Sequence, residues 1–188
     1  DEILRAVQEK AQKARQSGES IDYLTFVPDG EPTLDLNLGR EIELLSPFGI
    51  KIAVITNASL IWRQDVREAL TKADWVSLKI DSTSEEVWRR IDRPSRSLQL
   101  ASILDGMLGF AKAHRGELVT ETMLVQGVND GQDHVREVAE FLALLEPDRA
   151  YLSIPTRPPA EEWARSPTEE AINRAYQIFS STLETPGN

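Results

Sequence analysis

Five small polar clusters in this 188-residue chain each follow an apolar run: Gly30-Glu31, Thr56-Asn57, Lys79 with Asp81, Gln126-Gly127 with Asn129-Asp130, and Ser153 with Thr156. Their chemistry is that of recognition. Carboxylates accept from an amine, an ammonium pairs with a carboxylate, and amides and hydroxyls serve a sugar. The first cluster sits in "YLTFVPDGEPTLD", where a strand-like run meets a Pro28-Asp29-Gly30 turn and Glu31 stands at the corner. Each cluster also has a structural explanation. Glu31 with Pro32 suits the first turn of a helix, Thr56-Asn57-Ala58-Ser59 suits an N-cap, and "GVNDG" (127–131) suits a turn that caps the next helix. Lys79 and Asp81 suit a neutralising pair inside a barrel. Taken together, the clusters supply what a polar, zwitterionic nucleoside would need.

To converge, these groups must be carried by elements that end at one place. Apolar alternation predicts strands at 21–27, 51–57, 74–81, 117–125 and 150–154. Helices are predicted at 1–16 (with Ile3, Leu4, Val7 and Ala11 on one face), 37–46, 62–73, 84–91, 98–114 and 131–145. Pro167 opens a last one, with Thr168 and two glutamates in its first turn. Alternation of strand and helix implies a parallel sheet with its helices outside, and ligands then gather at the C-terminal strand ends. "DWVSLKID" selects between architectures. Val76, Leu78 and Ile80 form one apolar face, whereas Trp75, Ser77, Lys79 and Asp81 form the other. An open doubly wound sheet wants both faces apolar, but a barrel lumen accepts polar groups. Glu121 with Val119 and Met123, and Tyr151 with Ser153, repeat the pattern. The expectation is an α/β fold, a partial barrel, in a single domain over 1–188.

Composition narrows the function. The net charge of −10 disfavours a general polyanion-binding surface. No apolar run is long enough for a transmembrane helix, and a cytoplasmic protein is expected. The chain has no cysteine, hence no disulfide, no thiol nucleophile and no thiolate metal ligand of its own. No residue within it is expected to ligate metal or to be the reacting catalytic group. The run "EEVWRRIDRPSRS" gathers Arg89, Arg90, Arg93 and Arg96. It reads either as a solvated helix face paired with Glu85 and Glu86, or as a contact for phosphate or carboxylate.

In this order, "DGEPTL", "AVITNAS", "WVSLKIDS", "EEVWRRIDRP" and "MLVQGVND" resemble the radical S-adenosylmethionine (SAM) enzymes. The nearest branch holds the wyosine-forming tRNA enzymes and the pyruvate formate-lyase activating enzymes. The resemblance covers nearly all of 1–165 and implies a partial (β/α)6 TIM-like barrel. It implies that Gly30 and Glu31 stand where the family's Gly-Gly-Glu motif binds the methionine amino group, with Asp29 replacing the first Gly. Thr56 and Asn57 would lie near the cofactor, and Ser77, Lys79 and Asp81 near its ribose and carboxylate. Met123 and Val125 would lie beside the adenine. Arg89, Arg93, Arg96, Glu121, Tyr151 and Ser153 would face the substrate, a tRNA base or a glycyl-radical type protein.

Members hold a 4Fe–4S cluster on a CxxxCxxC loop after their first strand, and such clusters need thiolates. The resemblance therefore implies that the first strand and the cluster cysteines precede Asp1, and that this segment alone is inactive. The implied reaction is reductive cleavage of SAM to a 5′-deoxyadenosyl radical that abstracts hydrogen, fed by a donor such as flavodoxin or ferredoxin. Two alternatives stay open: a cluster-free nucleoside-binding module, and an aldolase-like barrel using Lys79 as a Schiff-base amine.

Overall fold

The computed structural model describes residues 2–27, 30–156 and 161–183. Among these residues five parallel strands form one sheet: β1 (Tyr23–Phe26), β2 (Lys51–Thr56), β3 (Trp75–Lys79), β4 (Glu117–Met123) and β5 (Arg149–Ser153). Seven α-helices accompany them: α1 (Glu2–Ser17), α2 (Leu38–Leu45), α3 (Gln64–Leu70), α4 (Glu85–Ile91), α5 (Leu100–Ala113), α6 (Gln132–Leu145) and α7 (Glu169–Leu183). Every predicted element is present, with ends shifted by a few residues. Asp81 falls beyond the end of β3, and Val125 beyond β4. The last helix starts at Glu169, where the Thr168 hydroxyl accepts from Ala171 N at 3.2 Å. None of the described helices is long and apolar enough to cross a membrane.

The strands lie in sequence order, β1-β2-β3-β4-β5. A doubly wound sheet reverses its order at a switch point. An unbroken order advances each crossover the same way, and right-handed crossovers then put every helix on one face. That is the arc of a barrel. Ile52, Val54, Val76, Leu78 and Leu118 turn outward and bury themselves with Ile42, Leu70, Ile103, Phe110, Leu142 and Phe179 of the helices. On α1, Ala11 is buried and Leu4 and Val7 are partly so, whereas Ile3 is 52% exposed.

The alternate residues face the concave side. The register sets Ile55 beside Ser77, Lys79 beside Glu121, Glu121 beside Tyr151 and Met123 beside Ser153. As far as Lys79, the polar face of "DWVSLKID" is thus the lumen face, which is why this sequence makes an arc.

Candidate functional site

Pro28 and Asp29, two of the turn residues singled out in the sequence, lie outside the described residues. Just after them Gly30 adopts φ 147°, a conformation that glycine tolerates and L side chains rarely adopt. Glu31 is extended and caps a 3-10 turn over Pro32–Leu34. Its Oε1 accepts from Thr33 N at 3.1 Å, from Thr33 Oγ1 at 2.8 Å and from the Thr56 hydroxyl. Its Oε2 accepts from Asn57 N at 2.7 Å. The carboxylate therefore caps its own turn and clasps the end of β2. Among the described residues, three of the four contacts fall on Oε1, so the acceptor capacity left for a ligand lies on Oε2.

Thr56 does not cap α3, which begins eight residues later with Arg63 as its N-cap. The Thr56 side chain is buried and accepts from Ala58 N at 2.9 Å, while Asn57 Oδ1 accepts from Ser59 N at 2.9 Å. Ala58 has φ 59°, a left-handed conformation that costs an alanine on the order of 1 kcal/mol. This tight turn keeps the backbone N–H of Asn57 aimed at Glu31.

Ser77 is buried, and Lys79 two residues on sends its ammonium to Asp81 and to Asp92, the latter at 3.1 Å. The Asp81 carboxylate is fully buried, and its Oδ1 also accepts from Met123 N at 2.9 Å. Lys79 is thus clasped by two carboxylates, not presented as a free amine. "GVNDG" does not cap α6 through a side chain either, since Gly131 holds that position. Asn129 is buried: Nδ2 donates to the carbonyls of Asp81 and Met123 at 2.8 and 2.9 Å, and Oδ1 accepts from Val125 N at 2.7 Å. Val125 is likewise buried.

Two cavities open at these strand ends. The smaller, about 190 Å³, is lined by Val27, Gly30, Glu31, Ile55, Thr56, Asn57, Ser77, Lys79 and Glu121. The larger, about 940 Å³, is mainly apolar, with Ile91, Met123, Leu152, Ile154, Pro155 and Trp163 in its wall, and Arg93, Glu121, Ser153 and Thr156 among its polar groups. Glu121 belongs to both. Of the four arginines, Arg89 pairs with Glu85 at 2.6 Å and donates to the Leu98 carbonyl, and Arg90 lies over the Trp163 ring at 5.2 Å. Arg93, the one that lines a cavity, pairs with Glu161. Arg96 is exposed and lines neither cavity, and the same holds for Tyr151.

Sequence reasoning missed Asp92, which sits inside "EEVWRRIDRP" among the more conspicuous arginines. It also missed Trp163 and Glu161, whose approach to the barrel mouth has no local signature.

A singly wound parallel arc whose strand ends cup a carboxylate, an ammonium and backbone donors defines a partial (β/α) barrel with a polar cavity at its rim. The Radical SAM superfamily model matches residues 1–142, and this chain belongs to that superfamily. Among its relatives is a UPF0026 protein of Methanocaldococcus jannaschii, 45% identical over 97% of this chain and 56% of that protein. A solved domain of a pyruvate-formate lyase-activating enzyme from Bacteroides vulgatus superposes with TM-score 0.68 at 23% identity, over 85% of this chain and 93% of that one. A structure of TYW1 with a lysine-pyruvate adduct bound superposes with TM-score 0.70 at 16% identity, over 95% and 58%. These two likenesses establish the fold. The chain spans about half the length of the curated relatives it matches.

The superfamily works with SAM and a 4Fe–4S cluster. The smaller cavity fits the first, because its donors and acceptors are those of an amino-acid terminus. This chain holds no ligand for the second, having no cysteine.

Proposed function

We propose that this chain is the SAM-binding core of a radical SAM enzyme, and that the cluster's thiolates come from sequence outside these 188 residues. The observation that carries the reading is the convergence of Glu31, Asn57 and Lys79, from three strand ends, on one small cavity. The chemistry supplied when SAM and a reduced cluster are bound is reductive cleavage of SAM to a carbon radical that removes hydrogen from a substrate.

The chain's own residues bind and orient. The Glu31 Oε2 lone pair and the backbone around Gly30 receive the amino group. The Lys79 ammonium, held between Asp81 and Asp92, meets the carboxylate at an already fixed position, so little ordering is needed on binding. Met123, in the wall of the larger cavity, leads the nucleoside toward that mainly apolar space, where the substrate sits. In this reading a flavodoxin- or ferredoxin-type protein supplies the electron, and a tRNA base or a polypeptide is the substrate. Without the thiolates, the chain alone binds SAM and does not cleave it.

Equilibrium binding of SAM to the full-length protein, reconstituted anaerobically with iron and sulfide, tests this. Saturable binding that Lys79→Met weakens about tenfold or more, with 5′-deoxyadenosine formed on reduction by dithionite, is the expected result. Absence of binding by a protein that carries its iron would overturn it.

A further inference from the structure

Lys79 and Glu121 are register partners on neighbouring parallel strands and carry opposite charges, an arrangement that ordinarily yields a cross-strand pair. Here it does not. The ammonium turns to Asp81 and Asp92, and among the described residues no cation pairs with Glu121. What Glu121 receives is a hydrogen bond from Ser153 Oγ to Oε1 at 2.8 Å, which fixes the carboxylate's direction. Oε2 has no protein donor among the described residues. The same side chain lines both cavities, and so stands where the contents of one meet those of the other.

We propose that Glu121, oriented by Ser153, is the specificity-determining residue for the substrate, and that it selects a planar or apolar group ending in N–H donors: an amine, an amidine or the amide edge of a heterocycle. Anionic groups are selected against. The wall of the larger cavity supplies apolar surface for the body of such a group, and Trp163 supplies an aromatic face. The one cation among its described lining residues, Arg93, is already paired with Glu161. Among the described lining residues an incoming carboxylate or phosphate would find no unpaired cation, and it would meet Glu121. Desolvating an unpaired carboxylate beside it is costly, whereas an N–H donor turns that cost into a charge-assisted hydrogen bond. The inference rests on the reading above only in taking the smaller cavity for the methionine end of SAM. The selectivity of the larger cavity stands on its own geometry.

Benzamidine and benzoate are near-isosteric and of opposite charge, and serve as probes on the full-length protein by calorimetry or ligand-observed NMR. Benzamidine is expected to bind about tenfold or more tightly than benzoate. Glu121→Gln should abolish that preference with its melting temperature retained. Ser153→Ala, which keeps the carboxylate but frees its orientation, should weaken the preference severalfold. Equal binding of the two probes, or a preference that survives in Glu121→Gln, overturns the proposal. SAM binding measured alongside separates the two readings. Probe selectivity without SAM binding removes the cofactor assignment and leaves Glu121 as the selector. SAM binding without probe selectivity removes the Glu121 role alone.

Discussion

Asn129 reaches back 48 residues to donate its Nδ2 to the carbonyl of Asp81 at 2.8 Å. The same amide also ties the carbonyl of Met123 and the N–H of Val125, so one buried side chain stitches the end of β3 to the end of β4. The rim on which Lys79 and Glu121 stand is held in shape by this clamp.

Asn129→Ala should therefore cost about 3 kcal/mol, because it strands one buried backbone donor and leaves two carbonyls under-satisfied. Asn129→Asp should cost as much, since its carboxylate offers no donor to those carbonyls. Urea unfolding monitored by circular dichroism reads this directly. A loss below about 1 kcal/mol in both variants would mean that water replaces the amide and the clamp is dispensable.

Lys79→Met removes the ammonium from between two carboxylates, one of them fully buried. Breaking such a pair from one side costs about 3 kcal/mol, tempered here by the partial exposure of Lys79. The double variant Lys79→Met/Asp81→Asn should recover part of that stability without recovering SAM affinity. Recovery of both together would place Lys79 in a purely structural role.

Burial pushes the His114 imidazolium below its ordinary range, against smaller opposing pulls from the Glu117 backbone, Asp148 and Asp74. The ring is 7% exposed and stacks on Phe110 with centroids 4.8 Å apart. A depressed folded value means that the unfolded chain takes up the proton first. The stabilising contribution is thus complete above the unfolded value of 6.5 and is lost as pH falls below it. Melting temperature followed from pH 7.5 to 5 should fall more steeply in the wild type than in His114→Phe. Parallel profiles would show that His114 does not contribute.

Gly106 lets α5 lie against the turn after β2. A Cβ there would stand 2.7 Å from the Ile61 carbonyl oxygen, and backbone cannot move aside as a side-chain end can. Gly106→Ala should destabilise by about 1–3 kcal/mol despite alanine's better helix propensity. A neutral or stabilising effect in thermal unfolding would show that the helix shifts freely.

The run "DWVSLKID" carries the clearest legible signal. Its alternation places Val76, Leu78 and Ile80 in the core and Ser77 and Lys79 in the lumen, and period 2 alone decides that. The same rule fixes Glu121 on the lumen face. It misleads at Asp81, which alternation assigns to the strand's polar face, whereas the strand has ended and the carboxylate is tucked under Met123 N. The capping rules read Glu31 with Pro32 as the start of a helical turn, and Glu31 does cap the 3-10 turn over Pro32–Leu34. They say nothing of Thr56 and Asn57, twenty-five and twenty-six residues on.

The sequence by itself determined the order of elements, the lumen faces of β3, β4 and β5 and the lack of thiolate in this stretch, because periodicity and residue type are local properties. Which partner each charge takes was decided only by the tertiary structure. Lys79 has Asp81, Asp92 and Glu121 all within its neighbourhood, and Arg93 has Glu161 sixty-eight positions away. Strand register and loop path set those distances. Coulomb energy falls with distance and desolvation depends on burial, so the choice among partners has no local code.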